Sequence, residues 1–252
     1  MPLKNLIVLA LSFCSLTLVA QKNFKSVSEN LSSISVQFGN YTPFGDYDEY
    51  FGNHFQIGGK YSYKTQSNYI FGIEGNFIFG NNVNSEGMLK HLRTENNEVL
   101  DEDGQLSTIL FFQRGYSFLA TAGKVFPKIL GKNPNSGLQV ELGLGFLTHK
   151  VRVEHQNNRI YALDNDYEKG YDRKSNGLVL KQYIGYLHHS DNKLANFSVG
   201  FEFFQGFTKN RRDYNFDLDG PDKRARLDLS FGIKAAWIIP LYTRMSSEYY
   251  IN

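Results

Sequence analysis

The twelve residues Arg226-Leu-Asp-Leu-Ser-Phe-Gly-Ile-Lys-Ala-Ala-Trp237 constrain this chain more than any other stretch. Leu227, Leu229, Phe231, Ile233, Ala235 and Trp237 share one parity, and Arg226, Asp228, Ser230, Gly232, Lys234 and Ala236 the other. A strand points successive side chains to opposite faces, so one face is wholly apolar and the other carries three charges. A soluble sandwich strand can alternate in the same way. The length of the run, its terminal Trp and its repetition about eight times along the chain favour a different setting. An apolar face toward lipid, a polar lumen and an aromatic at the interface are the features of a membrane-spanning barrel strand. The expected fold is therefore all-β, an eight-stranded antiparallel transmembrane β-barrel with long extracellular loops, short periplasmic turns and a periplasmic C-terminal tail.

Residues 1–20 read as a signal peptide, with Lys4 at the start, an apolar stretch from Leu6 to Val19, and Leu18-Val19-Ala20 before Gln21. The single cysteine, Cys14, lies inside that stretch, so disulfides and Cys-metal sites are not expected in the remainder. No linker divides the rest, which is read as a barrel over 21–240 and a tail over 241–252. A net charge of +2 carries no nucleic-acid signature. Aromatics at 15% together with 23 glycines suit a barrel whose strands are half polar.

In chain order, the apolar parity is carried by Ile34, Val36 and Phe38, by Phe55, Ile57, Tyr61 and Tyr63, and by Tyr69, Phe71, Ile73, Phe77 and Phe79. Tyr41 to Gly52 read as a loop, and Asn81 to Gly104 as a long polar loop without helical period. A fourth strand is expected over about Leu106 to Lys124. There Leu110, Phe112, Tyr116 and Phe118 share a parity with Arg114, which would require a bulge to leave the lipid face. After a turn at Val125 to Ser136 come Leu138, Val140, Leu142, Leu144 and Phe146, then a long loop over about His155 to Asn176. Leu178, Leu180, Ile184 and Tyr186 follow, with Gln182 as the exception, and then Phe197, Val199, Phe201 and Phe203. A third long loop, Thr208 to Arg224, precedes the closing strand. Long connections after odd strands and shorter ones after even strands match extracellular loops and periplasmic turns.

The opposite parity lines the lumen with Lys60, Glu74, Glu141, Lys181, Glu202, Arg226, Asp228 and Lys234, four of each sign. Eight strands leave room only for side chains, and buried charges must pair. The expectation is one interior salt-bridge network closing the lumen. Inward glycines (Gly58, Gly72, Gly143, Gly200, Gly232) leave space for the long charged side chains.

No catalytic, metal or cofactor motif of good specificity is present. Asp213, Asp217, Asp219 and Asp222 faintly resemble a calcium loop but lack its ligand spacing and closing Glu. Lys209, Arg211, Arg212, Lys223 and Arg224 are candidates for lipopolysaccharide phosphates, or ordinary loop charges. His188-His-Ser-Asp-Asn192 resembles the His-x-Ser-Asn stretch of the outer-membrane lipid A deacylases, which would make His188 a base and Ser190 a nucleophile. Asp191 departs from that pattern, and the connector lengths put the turn in the periplasm. A polar hairpin turn is the preferred reading, and no enzyme is expected.

The closing stretch, with Ser230, Gly232, Ala235 and Trp237, also resembles the closing-strand signal of bacterial outer-membrane proteins, although fifteen residues follow it. Tyr167-Glu-Lys-Gly-Tyr-Asp-Arg-Lys-Ser-Asn-Gly177, Asn196-Phe197, Phe201-Glu-Phe-Phe-Gln-Gly206 and Gly232-Ile-Lys-Ala-Ala-Trp-Ile-Ile-Pro-Leu-Tyr242 together resemble a family of small Bacteroidota outer-membrane barrels. Some of these accompany type IX secretion and gliding machinery. The resemblance implies a bacterial outer-membrane protein, in contact with membrane lipid and lipopolysaccharide, that anchors a periplasmic protein assembly without catalysis. A surface barrel whose loops bind lipopolysaccharide, a ligand or another cell is the alternative. Pro240 is expected to end the closing strand. That leaves Leu241, Tyr242, Tyr249, Tyr250 and Ile251 as a docking tail of large, cheaply ordered contact groups.

Overall fold

The structure is a computed structural model. It describes residues 28, 30–96, 98–127, 129, 133–155, 159–164, 167–190 and 195–241. The expected signal peptide and the proposed tail residues Tyr242, Tyr249, Tyr250 and Ile251 lie outside the described residues.

Among the described residues ten strands run in chain order: β1 (Leu31–Gly45), β2 (His54–Lys64), β3 (Tyr69–Gly80), β4 (Val99–Leu100), β5 (Leu106–Ser107), β6 (Ile109–Pro127), β7 (Gly137–His155), β8 (Ser175–His188), β9 (Phe197–Asn210) and β10 (Ala225–Leu241). Eight close into an antiparallel barrel in the order β1-β10-β9-β8-β7-β6-β3-β2, and β4 and β5 form a separate small hairpin. Stepping through paired residues from Gln37 around the ring reaches Arg226 on β10, while Gln37 itself pairs with Ala236. That offset (236 − 226, ten residues) is the stagger that tilts the strands and closes the sheet.

The facing follows the alternation in the sequence. Ile73, Phe118 and Leu142 stand outward with 62–65% of their surface exposed, while Lys60, Glu74, Glu141 and Lys181 point in. Exposed Val, Ile, Leu and Phe around a whole barrel have no protein to cover them, and lipid is the solvent that removes the penalty. The fold is a transmembrane β-barrel. One rim carries the connections 46–53, 81–108, 156–174 and 211–224; the other carries 65–68, 128–136 and 189–196.

Several local expectations change. β6 runs on through Val125 to Pro127 and β9 through Thr208 to Asn210, where a turn and a loop were expected. β1 continues through Tyr41 to Gly45, and Tyr41 is an inward, buried ring instead of a loop residue. Leu106 and Ser107 belong to the small hairpin, so the barrel strand starts at Ile109. Its register with β7 is unbroken from Ile109 to Pro127, so Arg114 faces outward with no bulge. It sits near the end of the apolar belt, its guanidinium 4.9 Å over the Phe112 ring, where a long stem carries the charge toward water.

β10 also runs past Pro240 to Leu241, which pairs with Ser32 and faces outward. Leu241 is thus the last residue of the closing strand and is not part of a tail. The proline is tolerated because β9 stops pairing at Phe197↔Trp237. Ile238 N–H points to that side, donating to Asn196 O at 2.8 Å. Pro240 shares its parity, so the missing donor faces a side with no strand.

Candidate functional site

The lumen is filled in layers. At the short-turn rim, Ile70, Val125, Leu187 and Ile238 pack together. Above them a cavity of ≈ 40 Å³ is lined by Ser33, Ser35, Ser62 and Gln139, room for a few waters. The charged layer follows. Lys181 Nζ reaches Glu74 Oε2 at 2.7 Å, Glu141 Oε1 at 3.1 Å and Glu202 Oε1 at 3.4 Å, with its side chain wholly buried. Lys60 Nζ lies 2.6 Å from Glu141, and Lys234 pairs with Glu202. Tyr41 Oη donates to Glu202 Oε2 at 2.5 Å. Three lysines thus meet three glutamates in a neutral cluster.

The two remaining predicted charges do not join it. An apolar layer of Tyr41, Ile78, Leu119, Leu147, Val179 and Phe204 lies between. Beyond that layer Asp228 Oδ2 is 2.8 Å from His149 Nε2 and accepts from Thr208 Oγ1 at 2.5 Å. Arg226 turns up to Glu49 at 3.3 Å and stacks 4.2 Å from the Tyr50 ring centroid. In place of the expected single network of eight there is a six-member cluster, with Asp228 and Arg226 each held separately by other partners nearer the cap. Gly72 and Gly143 do make room for charged neighbours, since a Cβ there would lie 2.8 Å from Lys60 Cε and 3.2 Å from Lys181 Cε. Gly232 instead clears the Tyr41 ring, 2.5 Å from where its Cβ would be.

The long connections form a cap. Tyr47 and Phe51 from the first, Met88, Leu89 and Val99 from the second, and Ile160, Leu163 and Tyr171 from the third share one buried apolar core. Phe216 of the fourth packs against it. Sequence reading missed this core because its members follow no strand or helix period. The available signal was large apolar side chains scattered through loops otherwise polar enough to be solvated.

Polar contacts tie the same four segments together. Asp217 Oδ1 accepts from Leu89 N at 2.8 Å, and its Oδ2 lies 3.1 Å from Arg173 Nη2. Leu89 and Arg173 both have positive φ, 58° and 48°, which a non-glycine residue adopts only when its surroundings hold it. Asp217 holds both. Arg224 forks onto Glu49 at 2.6 and 3.1 Å, and Arg212 pairs with Asp172. Burial, with Asp228 adding to it, holds the Tyr47 phenol well above its usual range. It remains neutral and accepts from Gln113 Nε2 at 2.6 Å. The aspartates of the calcium-like loop are thus spent differently: Asp217 braces the cap, and Asp219 meets His91 at 3.2 Å and Lys90 at 3.5 Å. No cluster of three metal-ligating side chains occurs among the described residues. Of the five candidate loop cations, Arg212 and Arg224 are engaged by carboxylates of the connections, and Arg211 Nε donates to Asn176 Oδ1. Lys209 and Lys223 are exposed.

Replacing Asp217 by Ala should leave two strained residues without their brace. The expected cost is about 1–3 kcal/mol, confined to the cap. Limited proteolysis should then cut within 84–107 while the barrel keeps its heat-modifiable migration. A cap as resistant as the unaltered one would show that Asp217 carries no such role.

The His188–Ser190 segment lies at the opposite, short-turn rim. His188 packs its ring 5.0 Å from Phe197, and His189 turns inward with Nδ1 3.3 Å from Asn196 Oδ1. Burial, helped by Lys64, lowers the His189 pKa to about 4, so the ring is neutral near pH 7. Asn133 and Ser136 donate to His189 O at 2.6 and 3.1 Å, and Ser190 N–H donates to Asn196 Oδ1 at 2.8 Å. These bonds stitch the second and third short connections together. Asp191 and Asn192 lie outside the described residues.

No protein-family model matches the sequence, and no curated protein matches it. Among solved structures, the chain is similar to Ail, the attachment invasion locus protein of Yersinia pestis. The identity is 14%, over 84% of this chain and 99% of that one, with a TM-score of 0.36. A structure of the same protein with the heparin analogue sucrose octasulfate matches at 15% identity, with the same coverage and a TM-score of 0.33. The N-terminal β-barrel domain of Pseudomonas aeruginosa OprF matches at 10% identity, over 81% of this chain and 97% of that domain, with a TM-score of 0.30. The architecture described above rests on this chain's own strand register and facing.

Proposed function

We propose that this chain is a non-catalytic, non-conducting barrel of the bacterial outer membrane whose task is to present its loop cap at the cell surface. The observation that carries this reading is the shared core of the four long connections. Loops that need only join strands gain nothing from burying Met88, Leu89 and Tyr47 together. A preformed surface, in contrast, binds without having to order itself first. The outer side of that cap exposes Tyr161, Tyr167, Tyr214 and Leu218, large contact groups of the type enriched at interfaces. The packed lumen supports the non-conducting part, since the charged and apolar layers occupy the space a pore would need.

A second reading, anchorage of a periplasmic assembly of the type IX secretion and gliding kind, is supported by the family resemblance in the second half of the chain. The docking tail beyond Leu241 belongs to this reading. One experiment separates the two. A photo-crosslinking residue is placed in intact cells at Tyr161 or Tyr167 on the cap, and at Gln66 in the β2–β3 turn. Specific adducts from the cap positions, with none from Gln66, are the expected result. Adducts to a periplasmic protein from Gln66 alone would overturn the surface reading in favour of anchorage.

A further inference from the structure

At the cap rim, the outer face of β6 and β7 changes from apolar to basic within one residue pair. Cross-strand partners on that face run Phe118↔Phe146, Tyr116↔Thr148, Arg114↔Lys150 and Phe112↔Arg152. Arg114 and Lys150 therefore stand directly opposite each other, both facing out. Like charges in that relation destabilise a sheet. Arg152 follows on the same face of β7, and Lys174 joins from the connection before β8. The four cations line an outward groove of ≈ 450 Å³, together with Phe77 and Tyr116, whose ring centroids are 5.2 Å apart.

The protein offsets this charge only in part. Arg114 donates to the backbone carbonyls of Gln113 at 2.7 Å and Gly80 at 3.5 Å and lies over the Phe112 ring. Lys150 Nζ is 3.5 Å from Glu168 and 3.9 Å from Asp172, and Arg152 meets Glu154 at 2.8 Å. Glu168 is the carboxylate in the groove lining. Among the described residues, no carboxylate pairs with Arg114 or Lys174.

The position selects the ligand. The groove opens where the lipid-facing belt ends, with rings on its membrane side and cations on its cap side. A free phosphate would use the cations but not the rings. A lipid phosphate brings an anion and an acyl chain at that height, and arginine and lysine near the belt edge are suited to bind such headgroups. We propose that this groove holds the phosphate of a lipid in the leaflet next to the cap, between Arg114, Lys150 and Lys174, with its acyl chain on Phe77 and Tyr116. The proposal rests on membrane insertion with the cap at the cell surface, as proposed above, and is independent of what the cap contacts.

The full chain is purified in detergent and its thermal midpoint is measured with bisphosphorylated lipid A, with dephosphorylated lipid A and with sodium phosphate. The expected result is stabilisation by the first alone. In the Arg114→Gln/Lys150→Gln double variant, affinity for phosphorylated lipid A should fall about tenfold to hundredfold, the worth of a charge-assisted hydrogen bond. Without lipid, that variant should be at least as stable as the parent, because the opposed like charges are gone. Lys223→Gln, in the cap, should bind as the parent does. Unchanged binding by the double variant, a double variant destabilised without lipid, or equal stabilisation by dephosphorylated lipid A or by sodium phosphate would overturn the proposal.

Discussion

Lys181→Met should unfold this barrel at markedly lower denaturant, at a cost of about 3–5 kcal/mol. Lys181 is the only one of the three lysines placed within 4 Å of all three glutamates among the described contacts. Its removal leaves an uncompensated negative charge in a buried layer, and that imbalance dominates over lost packing because methionine keeps most of the volume. Glu74 has its ion pair with Lys181 at 2.7 Å, so adding Glu74→Gln restores neutrality and should recover much of the loss. The single tryptophan, Trp237 on the outward face of β10, reports unfolding in micelles by fluorescence. A Lys181→Met barrel as stable as the parent, or a double variant no better than the single, would contradict the charge-balance account.

Leu142→Arg should cost about 2–4 kcal/mol for folding into lipid vesicles, the range for arginine at the midplane of a barrel's lipid face. Leu142 lies midway along the outward run from Leu138 to Phe146, paired with Ala122 on one side and Gln182 on the other. Leu106 in the β4–β5 hairpin is a stringent control because it is nearly as exposed, 56% against 62%. Exposure to water would make the two substitutions equally mild. Only exposure of Leu142 to lipid separates them, so Leu106→Arg should change stability by less than about 0.5 kcal/mol. Equal tolerance at the two positions would remove the membrane from the argument.

These two sites also mark what was readable in advance. Leu142 was legible because lipid enforces one parity over a whole strand, and the same alternation put Lys181 and the other five members of its cluster inside. The pairing among those charges was not legible. It depends on the ten-residue stagger, which alternation along single strands does not encode, and that stagger separates Arg226 and Asp228 from the other six. Arg114 misled because a charge on the apolar parity suggests a bulge, whereas its height along the strand allows its stem to reach the rim. Pro240 misled because the rule against proline in a ladder concerns strands paired on both sides, and β10 has lost one neighbour there. The cap was invisible for a different reason. Met88, Leu89, Ile160 and Leu163 meet only after the barrel has fixed where each connection starts and ends.

The salt bridge between Lys181 on β8 and Glu74 on β3 spans the lumen between strands that are not neighbours. No hairpin, and no run of consecutive hairpins short of β3 through β8, can form it. A sheet still open along one edge would expose some of these six charges to the bilayer interior without their partners, where each is costly. Intermediate stages of insertion are therefore penalised relative to both the unfolded chain in water and the finished ring. The cluster thus adds cooperativity to assembly, making the closed ring the first fully compensated state that lipid can accept.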